Sequence, residues 1–272
     1  MNKKIVLLFV LISAFTFGQR KPKIKGSKTV IEVRKDLEPF NAIEVIDDLD
    51  IVLRKSSDIG YGLTLDDNLV EVLKFRVVEG KLTISSFYNI TSKKKLEIIV
   101  YYDELSEVTL RKGSVEMKDR IDTGILEVNA FGSSKIQLNA NASVMDLNMF
   151  ENSSGNFNVD IDSLHVVLKD RANIEIYQVS SASSFETYKN TTVKAEGTTS
   201  LLDLNLFENS NFKATKLEAS EVNLHIESSS SARINAYTSC NLSARGNAQI
   251  FFYGAAKIHI IDFLDTCELH RR

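Results

Sequence analysis

Leu147-Asn148-Met149-Phe150-Glu151-Asn152-Ser153 returns, three steps of nineteen residues later, as Leu204-Asn205-Leu206-Phe207-Glu208-Asn209-Ser210. The interval extends well beyond that copy. Val128, Leu147, Val166, Phe185 and Leu204 lie nineteen apart, and Leu138, Phe157, Ile176, Ala195 and Ala214 keep the same spacing ten residues further on. Both columns then drift by a residue or two, through Leu224 and Leu242 in one and Ile234 and Phe252 in the other. A period of this length marks stacked units, none of which can bury its apolar face alone. Within a unit, apolar and polar residues alternate, as in Met145, Leu147, Met149 and Leu164, Val166, Leu168, which is the period of a strand with one buried face. The chain therefore predicts an all-β solenoid, a single-stranded β-helix of the right-handed type with about nineteen residues per coil. A left-handed hexapeptide helix is rejected, because nineteen is not a multiple of its repeat.

Small polar corners at Lys112-Gly113-Ser114, Gly132-Ser133-Ser134, Asn152-Ser153-Ser154, Arg171-Ala172-Asn173, Asn190-Thr191-Thr192, Asn209-Ser210-Asn211, Ser229-Ser230-Ser231 and Arg245-Gly246-Asn247 mark about eight coils between residues 106 and 257. Each coil is expected to carry two strands of about five residues, with like positions stacked about 4.8 Å apart. Open strand edges at the ends of such a stack recruit other chains unless covered. Residues 29–105 read as the cover at one end, a β-rich N-terminal cap continuous with the solenoid. It contains two strands around Glu79-Gly80, another strand over Leu96 to Tyr102, and a short helix carrying Leu69, Val70, Val72 and Leu73, capped from Asp66-Asp67-Asn68. Residues 258–272, ending in Glu268, His270, Arg271 and Arg272, read as a charged closing segment at the other end.

Lys3 and Lys4 precede an apolar run from Ile5 to Phe15, and Thr16 and Gly18 supply small residues before Gln19. This is the layout of a secretory signal peptide over residues 1–18, too short for a spanning helix, with cleavage expected after Gly18. Residues 19–28, with several lysines, Pro22 and Gly26, read as a flexible lead. No cysteine follows the cleavage position and no later stretch is long and apolar enough to span a bilayer, so the mature product is expected to be exported, to the periplasm or the cell surface. Losing Lys3 and Lys4 takes the formal charge from -3 to -5, with both signs scattered along the chain. That distribution excludes a phosphate-tracking, nucleic-acid-binding protein. Cys240 and Cys267 invite a disulfide in an exported protein, but one period forward from Cys240 falls near His259, which puts Cys267 on a different wall. Two free thiols are the expected state.

Phe40-Asn41-Ala42-Ile43-Glu44-Val45, Asp50-Ile51-Val52-Leu53, Asp66-Asp67-Asn68-Leu69, Gly80-Lys81-Leu82-Thr83-Ile84 and Tyr253-Gly254 together resemble the bacterial family of putative auto-transporter adhesins with a head GIN domain. The resemblance spans almost all of the chain beyond residue 18 and implies an exported, Bacteroidetes-type β-helix with an adhesin-like role. This chain departs from the family in its corners, which carry few glycines.

Catalytic or binding groups of a solenoid project outward, because the interior is aliphatic. One outward row holds Glu127, Asp146, His165, Ser184 and Asp203, and Asp146, His165 and Asp203 are the candidates for polarising a sugar or holding a cation. No lysine or arginine cluster lies in register to neutralise a uronate. A neighbouring row holds Asn129, Asn148 and Asn205, interrupted by Val167 and Glu186, and Phe251 and Tyr253 are expected to face out together on the other strand. His225, His259 and His270 diverge from His165, so no metal or cofactor is expected. The carboxylates Asp47, Asp48 and Asp50 lack calcium-loop spacing. These features predict a non-catalytic binding protein of the cell envelope that takes glycan or a partner protein on its lateral face. Two alternatives remain, a polysaccharide-lyase-like β-helix enzyme and a structural protein that self-associates as a homo-oligomer.

Overall fold

Val128 lies beside Leu147 on the next strand, Leu147 beside Val166, and the column continues through Phe185, Leu204, Leu224 and Leu242 in parallel register. Leu138, Phe157, Ile176 and Ala195 form the second column. Both columns are buried, so nineteen-residue counting did report which side chains share a wall. The computed structural model describes residues 21–272, a β-solenoid of about nine turns. The expected signal peptide lies outside the described residues. Drift in the period comes from irregularities in the ladder, one beside Ala195, one after Ala214 and one after Ala219.

The repeating strands are longer than expected. Lys135–Met149, Ser154–Leu168, Asn173–Thr187 and Thr192–Leu206 each run for 15 residues where pairs of five-residue strands were anticipated. Each strand follows one wall, bends, and returns along a second wall without losing its ladder. At the bend the alternation slips. Ile136, Leu138, Ala140 and Ala142 point inward, then Ser143 and Val144 both face out, and Met145, Leu147 and Met149 point inward again. All rungs bend together, so pairing persists and no glycine or proline is needed to mark the place. We call the stretch before each tight corner the leading wall and the stretch after it the trailing wall.

The tight corner does need a special backbone. Gly132, Glu151, Asp170, Lys189, Glu208, Ser228, Gly246 and Asp265 stand one above another with φ between 52° and 84°. Side chains other than glycine pay about 1–2 kcal/mol for this left-handed region. Two residues later comes a buried column of Ser134, Ser153, Ala172, Thr191, Ser210, Ser230 and Ala248, where the converging walls leave room only for small groups. Two of their hydroxyls turn back to the corner backbone, Ser153 Oγ donating to the Phe150 carbonyl at 2.8 Å and Ser210 Oγ to that of Phe207 at 2.5 Å, while Thr191 donates to Ser210 Oγ at 3.1 Å.

At the N-terminal end the two walls are prolonged by antiparallel strands. Gly60–Asp66 joins Leu96–Tyr102 and is itself joined by Val30–Asp36, while Leu73–Val78 pairs with Lys81–Ser86 around the Glu79-Gly80 turn. The expected short helix is a 3-10 turn, Asp67–Val72, which crosses from one wall to the other and seals the core with buried Leu69 and Val72. Asp66 occupies its cap position but makes no capping bond to it. Its fully buried carboxylate instead accepts the backbone N–H groups of Lys28, Lys94 and Lys95, each at 3.1 Å, tying the segments around Lys28 and Lys94-Lys95 to the cap. Burial alone would raise its pKa, but these bonds and the Lys94 charge hold it below the usual carboxylate range.

Two boundary expectations are corrected. The lead is not free within the described residues: Lys23–Lys25 pairs in parallel with Asn89–Ser92, and the Asn68 amide donates to the Lys25 carbonyl at 2.9 Å. The closing segment is a further rung rather than a cover, since Lys257–Phe263 and Glu268–Arg271 pair in parallel with the strands of the preceding rung. Alternating Ile258, Ile260 and Leu269 carry the solenoid pattern onward, and this outweighs the charges between them. Cys240 is buried and Cys267 half-buried, both as free thiols. Among the described residues no helix is long and apolar enough to cross a membrane.

Candidate functional site

Three outward rows make up the leading wall. The first contains Glu127, Asp146, His165, Ser184 and Asp203 in the expected register, and continues through Asn223, Asn241 and His259. The second contains Asn129, Asn148, Val167, Glu186, Asn205, His225 and Ser243. The third stands just after each strand, before the corner, where the backbone N–H of Arg111, Phe131, Phe150, Lys169, Tyr188, Phe207, Glu227 and Arg245 each donates to the rung before.

This third row was missed in the sequence, although Phe131, Phe150, Lys169, Tyr188 and Phe207 are spaced by nineteen. Its rings stack along the solenoid axis. Phe131 and Phe150 lie 5.2 Å apart at 11°, and Tyr188 and Phe207 lie 5.0 Å apart at 17°. The Arg111 guanidinium sits 5.5 Å from the Phe131 centroid and Lys169 Nζ 5.3 Å from that of Tyr188, so cations cover ring faces that other rings do not. The half-buried ladder offers ring edges to the outside rather than open faces. Tyr188 donates its hydroxyl to the Glu186 carboxylate, and this bond together with burial raises the phenol to about 12.

Polar groups of the first two rows are wired together. Asn148 donates to Asn129 at 3.1 Å and Asn129 to Glu127 at 2.8 Å. Further along, Asn241 donates to Asn223 at 2.8 Å and Asn223 to Asp203 at 2.6 Å. This second chain floors a shallow depression of about 430 Å³ lined by Ser184, Asp203, Asn205, Asn223, His225, Asn241, Ser243 and, at its end, Ile261. His225 is held by Glu227 at 3.0 Å and lies 5.7 Å from the Phe207 ring. Leu204, Leu224 and Ile261 supply the apolar part of the lining, and the rest is amide, hydroxyl and imidazole with one carboxylate and no lysine or arginine.

The candidate catalytic residues divide between places. Asp146 and His165 occupy adjacent rungs of open wall, whereas Asp203 lies two rungs beyond His165, past Ser184, and belongs to the depression. The structure joins Asp203 to Asn205 and Asn223, not to Asp146 and His165. Asn129 and Asn148 pair with each other, while Asn205 lies in the depression away from them. Among the described residues no group of three or more His, Cys, Asp or Glu side chains is placed to hold a metal ion.

On the trailing wall Phe251 and Tyr253 both face outward and are half-buried. Phe251 is sandwiched, with the Arg233 guanidinium 4.9 Å from its centroid and the His270 ring stacked at 5.0 Å. A second shallow depression of about 640 Å³ runs along this wall past Glu116, Lys135, Gln137, Asn156, Glu175, Lys194 and Lys213. Its charges of both signs are partly paired, Lys194 reaching Glu175 at 3.2 Å.

Residues 39–256 match the family model described as putative auto-transporter adhesin, head GIN domain. No curated protein matches the sequence significantly. Among solved structures, a Parabacteroides merdae protein described as a putative adhesin is 16% identical, with a TM-score of 0.69 over 92% of this chain and 99% of its own. A Parabacteroides distasonis protein described as a putative lipid binding protein is 19% identical, with a TM-score of 0.67 over 92% of this chain and 99% of its own. A putative adhesin from the same species is 18% identical, with a TM-score of 0.60 over 92% of this chain and all of its own. At these identities the likeness is one of fold.

Proposed function

Because this chain belongs to the family described as putative auto-transporter adhesin, head GIN domain, we propose that it is an exported, non-catalytic binding protein of the cell envelope that takes neutral glycan on its leading wall. The carrying observation is the depression around Asp203, Asn205, Asn223, His225 and Asn241. A sugar hydroxyl both donates and accepts, and amides fixed in a directed chain offer both functions at set positions with little ordering cost on binding. Lack of a cation in the lining argues against an anionic ligand, and one carboxylate suffices to accept a strong hydrogen bond. Leu204, Leu224 and Ile261 lie among these polar groups, and Phe207 lies 5.7 Å from His225, so a ligand's apolar flank has somewhere to lie. The family description and the solved relatives, none described as an enzyme, support the non-catalytic part of the reading. So does the separation of Asp146 and His165 from Asp203.

The test is a glycan array probed with the chain from Gln19 onward, followed by titration of each hit. Asn223→Ala should weaken binding about tenfold, since losing a fixed hydrogen-bonding group in a pre-ordered array costs about 1–2 kcal/mol. Gln137→Ala, on the trailing wall, should leave it unchanged. Binding that survives Asn223→Ala and Asp203→Ala, or depolymerisation of any bound glycan, would overturn the proposal.

A further inference from the structure

Among the described residues, the rung formed by residues 257–271 has neighbours on one side only. Its strands present a free row of backbone donors and acceptors, and the side chains that continue the core columns are left uncovered. Ile260 is 56% exposed, Phe263 37% and Leu264 49%, while Ile261, pushed out by a bulge opposite Leu242 and Ser243, is 67% exposed. No other part of the described chain gathers so many exposed large apolar residues.

We propose that this rung is the interface of a homodimer in which two copies meet C-terminal end to C-terminal end. The occupant follows from what the edge requires. Unpaired N–H and C=O groups are satisfied by another strand and not by hydrocarbon, which disfavours insertion into a lipid bilayer. Asp262, Asp265 and Glu268 on the same rung disfavour it further. A head-to-tail filament needs a second open end, but the 3-10 turn with Leu69 and Val72 and the antiparallel strands beside it close the N-terminal end. Two like edges remain, and they close on each other about a twofold axis. An axis in the plane of the rung sets the facing strands antiparallel.

Charge on the rung fits that arrangement. Lys257, Arg271 and Arg272 balance Asp262, Asp265 and Glu268, so two identical edges attract rather than repel. In an antiparallel pairing of Glu268–Arg271 with its own copy, Glu268 faces the partner's Arg271, twice over by symmetry. The dimer does not rest on the glycan reading: of the depression's lining only Ile261 lies on this rung, and the dimer would set two leading-wall depressions on one particle.

The experiment is sedimentation equilibrium of the chain from Gln19 onward, with bis-maleimide cross-linking through the half-buried native thiol of Cys267 in the same rung. A species of twice the chain mass, cross-linked in the native chain and not in Cys267→Ser, is expected. Ile260→Lys with Phe263→Lys should abolish the dimer while far-ultraviolet circular dichroism stays unchanged, because these side chains are already solvent-exposed. Arg271→Glu alone should weaken it, and adding Glu268→Arg should restore it, an outcome that unfolding cannot produce. A monomeric native chain at tens of micromolar, a dimer indifferent to these substitutions, or a monomer that binds anionic phospholipid vesicles through Ile260 and Phe263 would overturn the inference.

Discussion

Replacing Gly197 by alanine tests rung stacking at its tightest point. Gly197 has φ +111°, a region that L side chains rarely enter, and a Cβ added there would stand 1.9 Å from the carbonyl oxygen of Gln178 on the preceding rung. An ordinary C···O contact is about 3.3 Å, so the two rungs would have to part by more than 1 Å where Gln178 pairs with Gly197. The strain contributes about 1–3 kcal/mol and each ladder bond lost about 0.5–1.5 kcal/mol. Gln178 is fully buried and donates to Ser183 Oγ at 2.9 Å, so disturbing it exposes a polar group with few alternatives. Against this, alanine restricts the unfolded chain by about 0.4–1 kcal/mol. The net expectation is a loss of about 3 kcal/mol. Gly124→Ala is the control, because no heavy atom lies within 4 Å of the added carbon and its φ is not positive. That change should be neutral or mildly stabilising. Urea unfolding gives the totals, and hydrogen exchange of Asn173–Thr187 and Thr192–Leu206 localises the loss, which matters because a solenoid can open in part. Equal midpoints and equal exchange for the two variants would refute the register on which every surface row depends.

Ser228→Gly should stabilise the chain by up to about 1 kcal/mol, as relief of a left-handed φ of 61° exceeds the added entropy of glycine; a thermal melt should rise by a few degrees. The depressed pKa of Asp66 makes the N-terminal cap acid-sensitive: its contribution is present above the ordinary carboxylate pKa and is lost as pH falls through the lower folded value. Exchange protection of Val30–Asp36 should therefore fall first on acidification, and Asp66→Ala should remove that pH dependence. Tyr188 has the opposite sign, a folded pKa raised to about 12, so its contribution is complete below the unfolded value near 10 and is lost as pH rises through 12. Ultraviolet difference titration should show Tyr188 among the late phenols, beside Tyr61 and Tyr102, which burial also raises, and Glu186→Gln should bring one of them back toward the ordinary range.

Much of the fold was legible because β-solenoid geometry converts sequence distance into spatial neighbourhood. Val128, Leu147 and Val166 could be stacked by subtraction, and the structure stacks them. The bend near Ser143 and Val144 was not legible, because it is made by two outward residues in a row and by no turn-forming residue. The left-handed corners were placed a residue late, since Asn, Ser and Ala in Asn152-Ser153-Ser154 and its equivalents suggested the turn while the φ change falls on Glu151, Asp170 and Glu208. The last rung was misjudged for a comparable reason. Charges in Lys257–Arg272 resemble a solvated tail, yet a strand with one face inward tolerates any charge on the other.

Legibility of the site turned on the same asymmetry. Asp146, His165 and Asp203 drew notice as polar groups at one register, but a shared register means only a shared row, and convergence depends on how many rungs intervene. Asp203 lies beside Asn223 and Asn241 because these are the next rungs, a step across a bulge that shifts the count and hides the relation in sequence. The Phe131 to Phe207 ladder was hidden differently. Each ring follows directly on an inward residue, Ala130, Met149, Thr187 or Leu206, so two hydrophobic or neutral side chains in succession read as a core run ending. Only the left-handed residue that follows reveals that the ring lies outside. A surface built this way separates two requirements: the buried columns fix rung spacing, while any outward position is free to change chemistry without disturbing its neighbours' stacking. That freedom explains why identity to the solved relatives stays at 16–19% while the fold is kept. On the proposed reading, the outward rows near Asp203, rather than the columns beneath them, are where binding specificity would be encoded.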